Sequence, residues 1–234
     1  MKQLTLPVAI KPQPRLNDFV VGRNGLAWQS LQSLAQTGVC ESRVLMLWGE
    51  SGSGKTMLLQ ALRHAREVAG AKVGCLCAQD ALTLFNPEWE GVVLDGVDEY
   101  DDGQQALAFQ WLIECLQPSD GRQRWVVAAS ASPPADWVLR ADVRSRLASG
   151  LVFELQLLND AERSAVLQTQ ARARGLTLPA DVVSYMLHRF SRDMGSLIQL
   201  LDALDAYALQ SKRAITLPLL RDMFESGSLF EEAP

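Results

Sequence analysis

No run of lysine or arginine occurs anywhere in this 234-residue chain, and acidic side chains outnumber basic ones by 27 to 22, for a formal net charge of −5. Non-specific binding to nucleic acid needs a positive footprint that releases counterions, so this balance argues against a stand-alone DNA binder. An apolar run of the roughly eighteen residues that cross a bilayer is missing as well. The opening MKQLTLPVAIKPQP is too short in apolar length and too rich in proline for a secretory leader. A soluble, cytoplasmic protein with no membrane partner is the expectation. Histidine is scarce: His64 and His188 lie in helical patterns with no serine, cysteine or acid at a meaningful spacing. The four cysteines, Cys40, Cys75, Cys77 and Cys115, form no C-x-x-C pair and have no histidine at metal spacing, so free thiols in a reducing compartment are expected. Cys75 and Cys77, two apart in an apolar run, read as ordinary core residues on one face of a strand. The six tryptophans are scattered without basic residues between them, which argues against a base-stacking platform, and neither repeats nor low-complexity segments are present.

What is present is enough apolar surface, 48% of residues, for the core of one large domain and a small second one. Residues 1–15 carry Pro7, Pro12 and Pro14 and read as an extended tail. Short apolar runs at 43–48, 72–77, 91–95, 124–130 and 151–155 alternate with helical patterns, including 55–69 and 104–116. Near-continuous apolar strands alternating with helices predict an α/β domain over 16–157, a parallel sheet covered on both faces. From 158 to 234 the strand signal stops. A capping-box spacing, Asn159 with Glu162, opens a helix there. Two further amphipathic patterns follow, Val182, Val183, Met186, Leu187, Phe190 and then Leu197, Leu200, Leu201, Leu204, Ala208, with a last helix near Pro218. A small all-helical subdomain is expected.

The chemistry concentrates at Gly49-Glu50-Ser51-Gly52-Ser53-Gly54-Lys55-Thr56, a full G-x-x-x-x-G-K-[ST] between a strand and a helix. Backbone N–H groups of such a loop converge on phosphate at the positive end of the helix. Lys55 reaches the β and γ oxygens, and Thr56 ligates Mg²⁺. Asp95, ending the apolar strand Val92-Val93-Leu94, is the acid expected to hold Mg²⁺ through water. Bound ADP or ATP with Mg²⁺ is therefore the expected cofactor. A second acid after this aspartate is the usual water-polarising group, and here that place is Gly96. Asp98 and Glu99 read as members of a solvated acidic turn, so slow hydrolysis is expected.

The segments Leu16-Asn17-Asp18-Phe19-Val20-Val21-Gly22, LWGESGSGKT, VVLDGVDEY, RSRLASG and SRDMGSL together resemble the nucleotide-binding domain of DnaA, and more closely the Hda (homologous to DnaA) family of AAA+ regulators of bacterial replication. The resemblance spans nearly the whole chain, and it implies an AAA+ sheet domain followed by a helical lid. It also implies that Phe19, Val20 and Val21 lie against adenine, and that Arg192 folds over the phosphates of its own subunit. Arg146 is implied to act in trans as an arginine finger on a neighbouring γ-phosphate, while Arg144 stays undecided. Gln3-Leu4-Thr5-Leu6-Pro7 is similar to the peptide by which such proteins bind the β subunit sliding clamp, with Leu4 and Leu6 in an apolar pocket, Gln3 at its rim and Pro7 closing the motif. The chain ends at Pro234 with no helix-turn-helix in view, and direct sequence-specific DNA binding is not expected. The implied activity is stimulation of ATP hydrolysis by DnaA, leaving inactive ADP-DnaA. A homo-oligomer such as a dimer is also implied. Two alternatives stay open: an active AAA+ ATPase of the helicase-loader type, and a factor that recruits DnaA-family proteins.

Overall fold

The computed structural model describes residues 13–39, 42–190 and 194–225. Gln3, Leu4, Leu6 and Pro7, expected to bind the clamp, and Arg192, expected to fold over the phosphates, lie outside these described residues. Five strands, β1 (Val44–Trp48), β2 (Val73–Cys77), β3 (Gly91–Asp95), β4 (Trp125–Ser130) and β5 (Leu151–Glu154), form one sheet in the order β2-β3-β4-β1-β5. All neighbouring pairs are parallel. Parallel strands need crossovers, and the crossover helices cover both faces, so the central strands are apolar along most of their length, with polar Asp95 and Ser130 only at the carboxyl ends of β3 and β4. β4 is buried along its whole length.

Alternation along the strands divides the core in two. Val44, Met46, Val92, Leu94, Val126 and Ala128 face one side, where they meet Trp111 and Leu112 of α3 (Asp102–Leu116) and Val143 and Leu147 of α4 (Ala141–Leu147). Leu45, Leu47, Val93, Val127 and Ala129 face the other, against α1 (Gly25–Thr37) and α2 (Lys55–Val68). β5 departs from the expected continuous burial, since as an edge strand it leaves Leu151 and Val152 38% and 39% exposed. Two helices were not legible in the sequence pattern. α1 buries Ala27, Leu31, Leu34 and Ala35, and α4 has only seven residues.

Helices α5 (Asp160–Ala173), α6 (Ala180–Arg189), α7 (Met194–Ser211) and α8 (Leu217–Glu225) surround a separate core that includes Leu167, Val182, Met186, Leu197, Leu201 and Leu220. The capping box at the start of α5 forms as expected. The Glu162 N–H donates to Asn159 Oδ1 at 2.9 Å, and the Asn159 N–H donates to Glu162 Oε2 at 2.8 Å. Leu201 is fully buried, so truncating it to alanine costs about 2–5 kcal/mol. Among the described residues no helix is long and apolar enough to cross a membrane.

The order of the strands places the site. The chain leaves β1 through α2 for the far edge of the sheet, then returns strand by strand until β4 lies beside β1. A crevice opens at the carboxyl ends where the direction of winding changes, and ligands of open α/β sheets bind there. The glycine-rich loop follows β1 at that point.

Candidate functional site

Residues 49–54 turn the chain from β1 into α2, whose first residues are Lys55 and Thr56. Gly54 caps this helix with φ of 95°, a left-handed conformation that side chains with a Cβ rarely adopt. A Cβ at this position would lie 2.7 Å from the Phe19 ring. The phosphate loop and the segment before α1 are thus packed against one another directly.

Lys55 curls back over the loop, its Nζ donating to the carbonyls of Gly49 at 2.7 Å and Glu50 at 2.9 Å. Burial lowers its pKa, and Asp95, Asp98 and Glu99 oppose that shift. Asp95 is displaced upward, chiefly by burial. A hydrogen bond from the Thr56 hydroxyl and the charge of Lys55 act the other way. Thr56 and Asp95 thus bring two hard oxygen donors together, the donor chemistry Mg²⁺ favours. Ser53 is buried, and its Oγ has no hydrogen-bond partner among the described residues. A buried hydroxyl left without a partner costs about 1–3 kcal/mol, and a phosphate oxygen at the loop would relieve it. The residues present therefore fit a bound nucleotide phosphate with Mg²⁺.

Beside the loop lies an apolar pocket walled by Phe19, Val20, Gly52, Gly54 and Met57 from the sheet domain and by Val166, Gly195 and Ile198 from α5 and α7. Phe19 and Val20 of the expected adenine strip are on its wall, whereas the Val21 carbonyl accepts the Asn24 N–H at 2.7 Å. Glu50 and Ser51 are exposed on the outer turn of the loop. Sequence reasoning missed Asn24 and Arg163. Asn24 Nδ2 donates to the Gln156 carbonyl at 3.0 Å, and its Oδ1 accepts the Gln156 N–H at 2.8 Å. This pair ties the segment before α1 to the connection into α5 across 132 residues of chain, and no local pattern signals it. Arg163, nearly buried, pairs with Asp160 at 2.7 Å.

At the end of β3 the expected acidic turn is only partly solvated. Glu99 is exposed, but Asp98 accepts the N–H groups of Ala131 at 2.9 Å and Ser132 at 3.3 Å, and so fastens the end of β4. Gly96 sits between Asp95 and Asp98 with φ of 68°. Arg146 is not part of the pocket wall. Its guanidinium lies over the Phe109 ring of α3, 5.4 Å from the centroid, and no carboxylate pairs with it among the described residues. Arg144, two residues earlier, is exposed.

Comparison with known proteins places this geometry. The family model described as Hda, lid domain, matches residues 160–224, the helices α5–α8 up to Phe224. Residues 160–224 thus match the Hda lid family, and the chain as a whole has the AAA+ fold. Domain III of the Thermotoga maritima replication initiation protein DnaA superposes with a TM-score of 0.73 at 18% identity, covering 91% of this chain and 95% of that one. AMPPCP-bound DnaA from Aquifex aeolicus gives 0.69 at 20% identity over 84% of this chain and 66% of that one. The Thermotoga maritima RuvB Holliday junction branch migration motor gives 0.62 at 14% identity over 92% and 70%. These likenesses establish the AAA+ fold with its helical lid.

Proposed function

We propose that this AAA+ protein binds an adenine nucleotide and regulates DNA replication by stimulating ATP hydrolysis on DnaA, acting while tethered to the sliding clamp. The observation that carries this reading is the placement of Arg146 outside its own pocket, with its guanidinium held by an aromatic ring and no carboxylate claiming it among the described residues. A guanidinium carries fixed charge and forked donors suited to phosphate. Placed on a partner's γ-phosphate, Arg146 stabilises the charge that develops in the transition state.

The chain's own site supports binding more than turnover. Gly52, Ser53, Gly54 and Lys55 hold phosphate, Thr56 and Asp95 hold Mg²⁺, and Phe19 and Val20 flank the base. Bound Mg²⁺ would neutralise phosphate charge. No carboxylate follows Asp95 directly, and Asp98 spends its oxygens on the backbone of Ala131 and Ser132. The lid reports the nucleotide through Val166, Gly195 and Ile198, which share the pocket with the phosphate loop. The tail peptide Gln3, Leu4, Leu6 and Pro7 supplies the tether, an extended strand seated in an apolar groove of the clamp.

The test is single-turnover hydrolysis of ATP bound to DnaA, with DNA-loaded clamp, comparing wild type with Arg146→Ala and Arg146→Lys. An arginine finger contributes on the order of a thousandfold or more, so the alanine variant should lose nearly all stimulation and lysine should recover little. Stimulation by Arg146→Ala equal to wild type sinks the assignment. Retention on the clamp after deletion of residues 3–7 sinks the tether.

A further inference from the structure

Edge strand β2 carries a cluster that the nucleotide chemistry does not use. Cys75 and Cys77 face the same side of edge strand β2, as their spacing requires, but both are only half-buried and not enclosed in the core as the sequence suggested. Their sulfurs are 3.8 Å apart, and a carboxylate oxygen of Asp80 completes a group of three ligand atoms that all lie within 4.8 Å of one another. We propose that Cys75, Cys77 and Asp80 bind a thiophilic divalent cation, Zn²⁺ foremost, at the carboxyl end of β2.

The geometry matches that ion. Two thiolates at about 2.3 Å from a tetrahedral zinc stand roughly 3.8 Å apart, which is the separation the sulfurs already have. The carboxylate is brought in by a turn that closes immediately after the strand. The Cys77 N–H donates to Asp80 Oδ2 at 2.9 Å, and the Asp80 N–H donates to the Cys77 carbonyl at 3.0 Å. Gln104, near the start of α3, fixes the same turn from behind, donating to the carbonyls of Ala78 at 2.7 Å and Cys77 at 3.3 Å. Outer hydrogen bonds of this sort orient metal ligands and tune affinity. Asp80 is exposed, so a fourth position is open to water.

Competing uses of the two thiols fit less well. Residues two apart on a strand have Cα atoms about 6.6–6.8 Å apart, the upper limit for a disulfide, and the sulfurs would have to close to about 2.05 Å. Mg²⁺ prefers an all-oxygen shell, which Thr56 and Asp95 offer and this cluster does not. The cluster is also near the phosphate site, since Cys77 pairs with Asp95 across the β2–β3 ladder.

The test uses full-length protein, stripped by chelator and kept reduced, titrated with Co²⁺ and then Zn²⁺. One equivalent of Co²⁺ should produce the near-ultraviolet sulfur-to-cobalt charge-transfer absorption, and one equivalent of Zn²⁺ should abolish it. Cys75→Ser and Cys77→Ser should each remove or strongly reduce the band. Asp80→Asn should weaken binding by about tenfold or more, and Gln104→Ala by about tenfold through loss of the outer bonds. Cys115→Ser and Asp95→Asn should leave the band intact, separating this site from the buried thiol and from the phosphate loop. Circular dichroism of each serine variant establishes that it is folded. Absence of the band in wild type, its persistence in both serine variants, or an intact mass short by two hydrogens at the Cys75–Cys77 peptide overturns the proposal.

Discussion

Substituting Gly96→Glu recreates the pair of adjacent acids at the end of β3, and sequence alone would expect it to confer faster ATP turnover. The backbone argues otherwise. Gly96 has φ of 68° and ψ of 43°, the left-handed region, where a residue with a Cβ is strained by about 1–2 kcal/mol. Space is not the obstacle, because the nearest atom to a new Cβ is Glu99 Oε2 at 3.8 Å. The cost is therefore conformational, with some like-charge repulsion from Glu99 added. For a chain of this size about 2–4 °C of midpoint is lost per kcal/mol, so Gly96→Glu should melt about 2–8 °C below wild type. Gly96→Ala should fall by nearly as much, and Gly96→Asn by less, because asparagine tolerates this region. Relief of the strain would swing the new carboxylate away from the geometry required, so turnover should stay at the wild-type level. Thermal unfolding of the three variants and steady-state phosphate release check both halves. A Gly96→Glu protein as stable as wild type, or one that hydrolyses ATP rapidly, would refute the backbone argument.

Asp95 is held above the ordinary carboxylate range, mainly by burial, so the folded state takes up its proton more readily than the unfolded chain. The stability it contributes is full at low pH and is lost as pH rises through its folded value. Without nucleotide or Mg²⁺, Asp95→Asn should therefore melt above wild type at neutral pH, with the gap closing in acid, while Mg²⁺-dependent nucleotide binding disappears. A scan of melting midpoint against pH decides it, and a lower midpoint at neutral pH counts against the reading. Asp98→Ala removes the acceptor for the Ala131 and Ser132 N–H groups and should cost about 1.5–3 kcal/mol by denaturant unfolding. A change within about 0.5 kcal/mol, the range usual for surface substitutions, would make Asp98 the solvated acid its sequence suggests.

Some of this protein is written in local pattern. The phosphate loop, the five apolar runs, the capping box at Asn159 and the amphipathic faces of α6 and α7 each depend on spacing within a few residues, and spacing is what a sequence displays. The short helix α4 was not legible, because seven residues give too little periodicity to count. Neither was the wall that Asn24 and Gln156 build, because a hydrogen bond between residues 132 apart leaves no trace in neighbouring positions. Asp98 misled for the same reason: among Asp101, Asp102 and Glu99 it reads as one more surface acid, until strand order brings β4 beside β3 and offers it two N–H groups.

The sequence by itself determined the composition of the glycine-rich loop, its place between a strand and a helix, and the helical segment that the Hda lid family model matches. Tertiary structure alone decided what those parts face. The left-handed backbone makes Gly96 a geometric requirement and not merely a missing acid, and the packing of α4 on α3 sets Arg146 over Phe109, outside its own pocket. The edge position of β2 leaves Cys75 and Cys77 within reach of Asp80 and of solvent. Each of these depends on which segments meet across the fold, and pairings between distant residues are settled only when the chain closes on itself.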